Sequence, residues 1–279
     1  MFCAIILTEA NINQVKWNIT IKYRNNLSTL GKFLSVAIIC SSLFTVGCSQ
    51  LSNVDSATVF ERCKLFYSTQ NFTEAYKYCK RAAKEGRAEA QFYLGLMFRY
   101  GQGVRQNYFR SFKWTKMAAE QGNATSQYNV GISYTYGQGV KQNYLEAVKW
   151  YQKAATQGDD AAQYNLALMY YKGLGVVQDY HDAFKWTKMA ADQGNASAQY
   201  NLGLMYDEGK GVRQDYKMAL HWYQKSAEQG DVFAHNNLGI LYYYGRGVKK
   251  DYSKAKEHFG YSCDNGNQAG CDMYKELNK

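Results

Sequence analysis

The sequence lacks several features that mark common classes of protein. It contains no proline among its 279 residues, so nothing of that kind interrupts a long helix. It has only four histidines and no Cys-x-x-Cys pair, which disfavours a zinc site. The P-loop pattern Gly-x-x-x-x-Gly-Lys-Ser/Thr is also absent. We therefore expect neither a metal centre nor a bound cofactor.

The charge is positive but not clustered. The net charge is +10, and it falls to +7 when residues 1–48 are left out. A nucleic-acid-binding domain gathers its basic residues into one stripe, and no such stripe is visible here. Nucleic acid is therefore not an expected partner. A hydrophobic content of 46% provides enough material for a sizeable core, which argues against disorder.

The pattern Gly-x-Gly-Val occurs five times at intervals of 36 residues. The copies begin at Gly101, Gly137, Gly173, Gly209 and Gly245. A phosphate-binding loop needs one such turn after a strand, with backbone N–H groups converging on the anion. Because five evenly spaced copies follow no strand pattern, we interpret them as structural turns, where glycine adopts a positive φ between two helices.

Each repeat has the pattern of two helices. In the clearest copy a first helix is predicted from about residue 161 to 172, by its apolar spacing. Asp179 or Tyr180 opens a second helix, in which we expect a buried stripe that includes Trp186 and Met189. The tryptophans recur at the same interval, at Trp114, Trp150, Trp186 and Trp222. We interpret this series as core packing, because large aromatic side chains at helical spacing fill cores.

Leu-Gly-x-Met-Tyr, Gly-x-Gly-Val, Ala-x-x-Trp and Ala-Ala-x-x-Gly together resemble Sel1-like repeats, which are relatives of tetratricopeptide repeats. The resemblance implies an all-α fold, a right-handed α/α solenoid in which stacked helix pairs bury a continuous core. The expected divisions are a leader and lipoprotein signal peptide at 1–47, a lipidated linker at 48–55, and a solenoid at 56–279 with a short first unit at 56–86, full repeats at about 87–266 and a capping helix at 267–279.

Solenoid proteins bind their partners on the concave surface. By resemblance to tetratricopeptide repeats, this surface comes from the first helix of each unit. The residues carried over to it are Phe92, Arg99, Tyr100, Tyr128, Tyr136, Tyr164, Tyr171, Lys172, Tyr200, Asp207, Tyr243 and Tyr244. Tyrosine is common in protein-binding surfaces, since it offers contact area and a hydroxyl at low entropy cost. Packing between helices is the alternative role of each tyrosine, and periodicity alone does not decide between the two.

The N-terminal region resembles a bacterial lipoprotein signal. Lys32 precedes the apolar run FLSVAIICSSLFTVG, which has the length of a signal-peptide core and is too short to span a bilayer. The run ends at Cys48, although Thr45 stands where leucine is usual. The resemblance implies lipidation of Cys48 and a periplasm-facing protein at the outer membrane, whose only membrane contact is the lipid anchor. Residues 1–31 form an unusually long leader, which leaves the start codon open.

Four cysteines remain after those of the leader and the lipid site, and all lie in the first and last units. They are Cys63, Cys79, Cys263 and Cys271. An even number in an exported chain favours disulfides. The repeat template places the first two at facing positions, and the spacing of the last two is similar to that of the cysteine-rich Sel1-like proteins of Helicobacter. Cross-links there would hold units that lack one stacking neighbour.

No catalytic constellation is visible in the sequence. The single Ser-x-x-Lys, Ser253–Lys256, lacks the Ser-Asp-Asn and Lys-Thr-Gly motifs that a serine β-lactamase requires. We expect a non-enzymatic protein–protein interaction module, either a scaffold in an envelope or secretion complex or an immunity protein against a delivered effector. The alternative is a β-lactamase-like or peptidoglycan-acting hydrolase of the cysteine-rich Sel1-like type. The oligomeric state is not indicated.

Overall fold

A computed structural model describes residues 56–278, in which thirteen α-helices and no strands occur. The helices are α1 Ser56–Ser68, α2 Phe72–Lys84, α3 Ala88–Tyr100, α4 Tyr108–Glu120, α5 Ala124–Tyr136, α6 Tyr144–Thr156, α7 Asp160–Lys172, α8 Tyr180–Asp192, α9 Ala196–Glu208, α10 Tyr216–Ala227, α11 Val232–Tyr244, α12 Tyr252–Asp264 and α13 Gln268–Glu276. Each packs mainly on the helices before and after it in the chain. This arrangement confirms the all-α solenoid predicted from the sequence.

We call α3, α5, α7, α9 and α11 the first helices, and α4, α6, α8, α10 and α12 the second helices. Every second helix begins after an Asn or Asp whose side chain accepts a hydrogen bond from a backbone N–H of the first turn. These capping residues are Asn107, Asn143, Asp179, Asp215 and Asp251. Every first helix ends before a glycine in the left-handed region, so the local sequence sets both boundaries.

The second glycine of each Gly-x-Gly-Val loop contacts the preceding repeat. Gly139 has a φ of +75°, and a Cβ there would overlap the carbonyl group of Tyr108, the first residue of α4. The equivalent glycines meet the start of the preceding second helix, or of α2, in the same way. The loop is therefore a structural turn that also joins neighbouring repeats, which requires glycine both for its φ and for the close approach.

The tryptophan series lies partly in the core. Trp150, Trp186 and Trp222 are buried, as their spacing predicts, whereas Trp114 is only half-buried. The prediction that Met189 is buried is wrong, because this residue is 39% exposed. On α8 the buried arc passes through Thr187 and the alanines one turn further on, and Met189 lies outside that arc.

A row of buried glutamines links successive repeats. The fourth residue of a first helix is Gln91, Gln127, Gln163 or Gln199, and each is at most 5% exposed. Its side-chain nitrogen donates to a carbonyl near the end of the preceding helix pair, as Gln163 does to Ala155 at 3.2 Å. Its oxygen accepts a hydrogen bond from a glutamine at the end of its own repeat, as Gln163 does from Gln193 at 2.8 Å. Each glutamine thus connects three successive helices, and the low dielectric around it strengthens both bonds.

Candidate partner-binding face

The twelve residues predicted to bind a partner lie on the first helices, and all of them are at least partly exposed. We call the surface that these residues form the first-helix face. Its members recur at three positions of the helix, the fifth, twelfth and thirteenth residues. The structure gives these positions different roles, so the face is not uniform.

At the fifth position, Tyr128, Tyr164 and Tyr200 are only partly exposed and pack between helices. The ring of Tyr128 lies 6.0 Å from that of Tyr151 on the following second helix. The hydroxyl of Tyr164 accepts a hydrogen bond from Asn201 of the next first helix, at 3.1 Å. Burial raises the pKa of the Tyr128, Tyr164 and Tyr200 hydroxyls above the ordinary value, and they stay protonated at neutral pH. Phe92 is the residue at this position in α3. The fifth position therefore contributes to helix packing as well as to the first-helix face.

At the twelfth position, polar groups connect neighbouring repeats. Arg99 donates to Asn129 of the next first helix at 3.3 Å. The hydroxyl of Tyr171 accepts from Lys210 at 2.9 Å. Asp207 accepts from the hydroxyl of Tyr223 on the second helix of its own repeat at 3.3 Å, and burial raises the pKa of this carboxyl. The contacts of Arg99 and Tyr171 hold successive first helices side by side and make the face continuous from one repeat to the next.

At the thirteenth position, the last residue of each first helix projects into solvent. Tyr100, Tyr136 and Tyr244 are 62%, 65% and 54% exposed. Lys172 is the exposed residue at the same position of α7. Tyr243, one residue before Tyr244, packs edge-to-face on its neighbour at 4.9 Å between ring centroids. This position supplies most of the exposed aromatic surface of the face.

A cavity of about 350 Å³ opens on the first-helix face between α7 and α9. Its apolar lining includes Ala167, Leu168, Leu204 and Met205, and Thr187 of α8 also borders it. Tyr164, Tyr171, Lys172, Asn201 and Glu208 provide its polar groups. Ligand pockets in proteins begin at roughly 300 Å³, so this one has the size of a small binding site. The cavity was not predicted from the sequence, although Thr187 is a small residue at the position where the two neighbouring repeats carry tyrosine.

Two of the four histidines, distant in sequence, lie together in the structure. The Nδ1 atoms of His235 and His258 are 3.0 Å apart. The ring of His235 stacks on Tyr261 at 3.8 Å between centroids, and that of His258 stacks on Tyr242 at 5.6 Å. His235 stands where other repeats have the linking glutamine, and His258 stands where they have tryptophan. Their meeting follows from the repeat register, which was the signal available in the sequence.

The four cysteines of the end units form two disulfides. Cys63 joins Cys79 between α1 and α2, and Cys263 joins Cys271 between α12 and α13. This is the pairing that the resemblance implies. Within residues 56–278, no group of three or more His, Cys, Asp or Glu side chains is arranged to hold a metal ion.

The serine motif considered for a hydrolase lies on the first turn of α12. Ser253 is exposed, and the Lys256 ammonium lies over the ring of Tyr274 at 5.6 Å from its centroid. This arrangement gives the hydrolase alternative no support.

The predictions for the N-terminal region lie outside the described residues, including the signal sequence and the lipidation of Cys48. The helices between residues 56 and 278 include none with the length and apolarity needed to cross a bilayer.

Comparison with known families and structures gives a consistent result. The family model described as the Sel1 repeat matches residues 65–86, 88–123, 124–159, 160–195, 196–231 and 232–267. These boundaries follow the 36-residue period found in the sequence. No protein in the set of curated sequences matches the chain.

Solved structures of repeat proteins are similar to this chain. A protective antigen present in uropathogenic Escherichia coli strains is 33% identical, with a TM-score of 0.77, over 82% of this chain and 50% of that one. The chain thus spans half the length of that antigen. A Sel1 repeat protein from Oxalobacter formigenes is 32% identical, with a TM-score of 0.71, over 80% of this chain and 88% of that one.

A third match is the cysteine rich protein B of Helicobacter pylori, which is 24% identical over 45% of this chain and 96% of that one, with a TM-score of 0.37. The family assignment depends on the repeat model and on the first two structures. Six matched repeats cover most of the sequence, and two solved relatives share about a third of its residues. The chain belongs to the Sel1 repeat family.

Proposed function

We propose that this protein is a non-enzymatic binding module and that its first-helix face holds a protein partner. Sel1 repeat proteins are protein-interaction scaffolds. The observation that carries the proposal is the exposed aromatic side chains at the ends of three of the five first helices, Tyr100, Tyr136 and Tyr244, each more than half exposed. Exposed aromatic residues that recur at one helix position mark binding surfaces, because they lose unfavourable contact with water when a partner covers them.

The polar links between first helices support the same function. Arg99 and Tyr171 are engaged with neighbouring repeats and Asp207 with the second helix of its own repeat, which restrains the helices relative to one another. A restrained surface loses little conformational freedom when it binds, and the affinity is correspondingly higher. The exposed tyrosines are therefore presented by a framework that is already ordered.

We further propose that the module is anchored in the bacterial cell envelope through a lipid on Cys48. The signal-like sequence before Cys48 motivates this part of the proposal. The two disulfides of the end units support it, since such bonds form and persist in oxidising compartments such as the periplasm. Globomycin, which blocks cleavage of lipoprotein signals, should make the precursor accumulate in cells that express the full chain. Unchanged processing under globomycin would contradict the anchor.

Crosslinking in living cells tests the binding face directly. We would place the photoreactive residue p-benzoylphenylalanine at Tyr136, and in a matched control at Lys185, which is exposed on the second helix α8. We expect one discrete crosslinked product from Tyr136 and none from Lys185, with the partner identified by mass spectrometry. A product from Lys185 alone would move the site off the first-helix face, and no product from either would contradict the proposal.

The identity of the captured protein decides between the two roles considered above. An envelope or secretion component would indicate a scaffold. A toxin delivered by a neighbouring cell would indicate an immunity protein, and adding the purified chain should then inhibit that toxin.

A further inference from the structure

The eighth residue of the second helix is threonine in two of the five repeats and aromatic in the other three. It is Thr115, Tyr151, Thr187, Tyr223 and Phe259 in successive repeats. This position faces the eighth residue of the first helix in the same repeat, which is glycine in four of the five and Ala167 in the third full repeat. The size of the residue on the second helix decides what lies behind the first-helix face at each repeat.

Where the residue is tyrosine, its ring fills the space behind the first helix. A Cβ on Gly131 would come within 2.5 Å of the Tyr151 ring, so glycine is required for the ring to fit. The same ring packs against Tyr128, with 6.0 Å between centroids, and its hydroxyl reaches Thr135 at 3.0 Å. Tyr223 repeats the arrangement over Gly203. The fifth, eighth and twelfth positions of the first helix therefore form a seat for one aromatic ring.

In the repeat of α7 and α8 that seat is not filled by the chain. Thr187 takes the place of the tyrosine, and the cavity of about 350 Å³ opens there. Its lining includes Tyr164, Ala167 and Tyr171, which are the fifth, eighth and twelfth residues of α7. Tyr171 does not close the space, because its hydroxyl is bound to Lys210 and its ring packs edge-to-face on Tyr180 at 5.1 Å.

The other threonine repeat differs in the residue on its first helix. Gly95 allows the backbone of α4 to approach until the Thr115 nitrogen lies 3.3 Å from the place a Cβ would occupy. Ala167 carries that Cβ at the same position of α7, so α8 meets a methyl group where α4 meets none. The combination of alanine on the first helix and threonine on the second occurs in the α7–α8 repeat alone among the five.

We propose that this cavity receives an aromatic side chain of the protein partner, whose ring lies against the methyl group of Ala167 and fills the space that a tyrosine ring fills in the flanking repeats. The proposal rests on the proposed function, since it names the anchor by which the first-helix face would hold its partner. The chain itself indicates the occupant, because Tyr151 and Tyr223 bury their rings over glycine at the equivalent place on either side, and the cavity of about 350 Å³ leaves room for a ring beside the Ala167 methyl group. Buried aromatic anchors in central pockets contribute much of the energy in protein interfaces.

The test fills the seat with a tyrosine side chain of this protein, so that a partner's side chain can no longer enter it. The double variant Ala167→Gly with Thr187→Tyr copies the residue pair of the flanking repeats, so it should fold with unchanged helicity and melting temperature. Thr115→Tyr introduces a tyrosine at the other threonine and serves as the control. A library of random peptides displayed on phage, selected on the full chain, provides the probe.

We expect the selected peptides to share one Tyr, Phe or Trp at a common position. Their binding should weaken about tenfold or more in the filled variant and stay unchanged in the control, as for loss of an interface anchor. Peptide addition should also shift the methyl NMR signals of Ala167 and Thr187. Peptides without an aromatic residue, peptides that bind the filled variant equally, or no selected peptide would each overturn the aromatic anchor. The crosslinking at Tyr136 reports separately on the proposed function, which stands if a partner is captured while the anchor fails.

Discussion

Internal and terminal repeats use the same positions for different kinds of contact. Inside the array, the eighth residues of the two helices form a contact between glycine and an aromatic ring in three of the five repeats, as Gly131 does with Tyr151. In the first unit the eighth residues of α1 and α2 are Cys63 and Cys79, which form a disulfide. A covalent bond thus replaces a packing contact.

The same replacement occurs at the other end. Inside the array, the twelfth residue of a second helix accepts a hydrogen bond from the fourth residue of the following helix, as Ala155 does from Gln163. At the C-terminal end these positions are Cys263 of α12 and Cys271 of α13. Terminal repeats of a solenoid have a stacking neighbour on one side only and open more readily. The two disulfides therefore lie in the end units, which have one stacking neighbour where internal repeats have two.

Removal of a terminal disulfide should have the largest effect on stability. Cys63→Ser with Cys79→Ser releases a loop of 16 residues and should lower the free energy of unfolding by about 3 kcal/mol, because the unfolded chain regains entropy. Urea denaturation followed by circular dichroism measures the change. As a matched variant, Cys63→Gly with Cys79→Tyr rebuilds the internal type of contact and should recover part of the loss. Equal stability of the serine variant and the parent would show that the end needs no covalent support.

An internal link should cost somewhat less to break. Gln163→Ala removes one buried and one partly buried hydrogen bond and leaves the Ala155 carbonyl and the Gln193 amide without that partner. We expect a loss of about 2 kcal/mol in the same denaturation experiment. Gln193→Ala, which removes only the outer bond, is the control and should lose about 1 kcal/mol or less. If both variants lost the same free energy of unfolding, the hydrogen bond from Gln163 to Ala155 would make no measurable contribution to stability.

The smallest effect is expected from pH at the last internal junction. Burial lowers the pKa of both His235 and His258 below 6.5 in the folded chain, and for His258 the neighbouring His235 and Lys254 lower it further. The unfolded chain therefore takes up these protons first. Stability is complete above pH 6.5 and declines as the pH falls through that value toward the lowered pKa values.

The variant His235→Gln with His258→Trp restores the residues of the other repeats and tests this expectation. Melting temperatures of the variant and the parent should differ less at neutral pH than at acidic pH, with the parent losing more as the pH falls. Asp231 and Glu257 face the pair in both proteins, so the comparison cancels their own titration. Parallel curves would show that the pair does not contribute to the pH dependence.

The sequence predicts the fold well because the same local signals recur in each of the repeats. The caps, the turn glycines and the buried Trp150 could all be predicted from spacing, since each depends on neighbours close in sequence. The binding face was only partly predictable. Tyr100 and Tyr128 have similar patterns, yet one is exposed and the other packs against the next helix, and that depends on contacts across the stack. The cavity depends on Ala167 and Thr187 together, so neither residue alone reveals it.

The glutamine links and the loop contacts make the junctions up to α9 equivalent, which has a consequence for how such a protein changes in length. If residues 124–159 were deleted as a block, Ala119 would meet Gln163 in place of Gln127, and Gly175 would meet Tyr108 in place of Gly139. Both new contacts would be built from the same residue types as the old ones. The array is thus modular in length. It can gain or lose a whole unit by duplication or deletion, and the reach of its first-helix face changes in steps of one repeat while the sealed ends stay as they are.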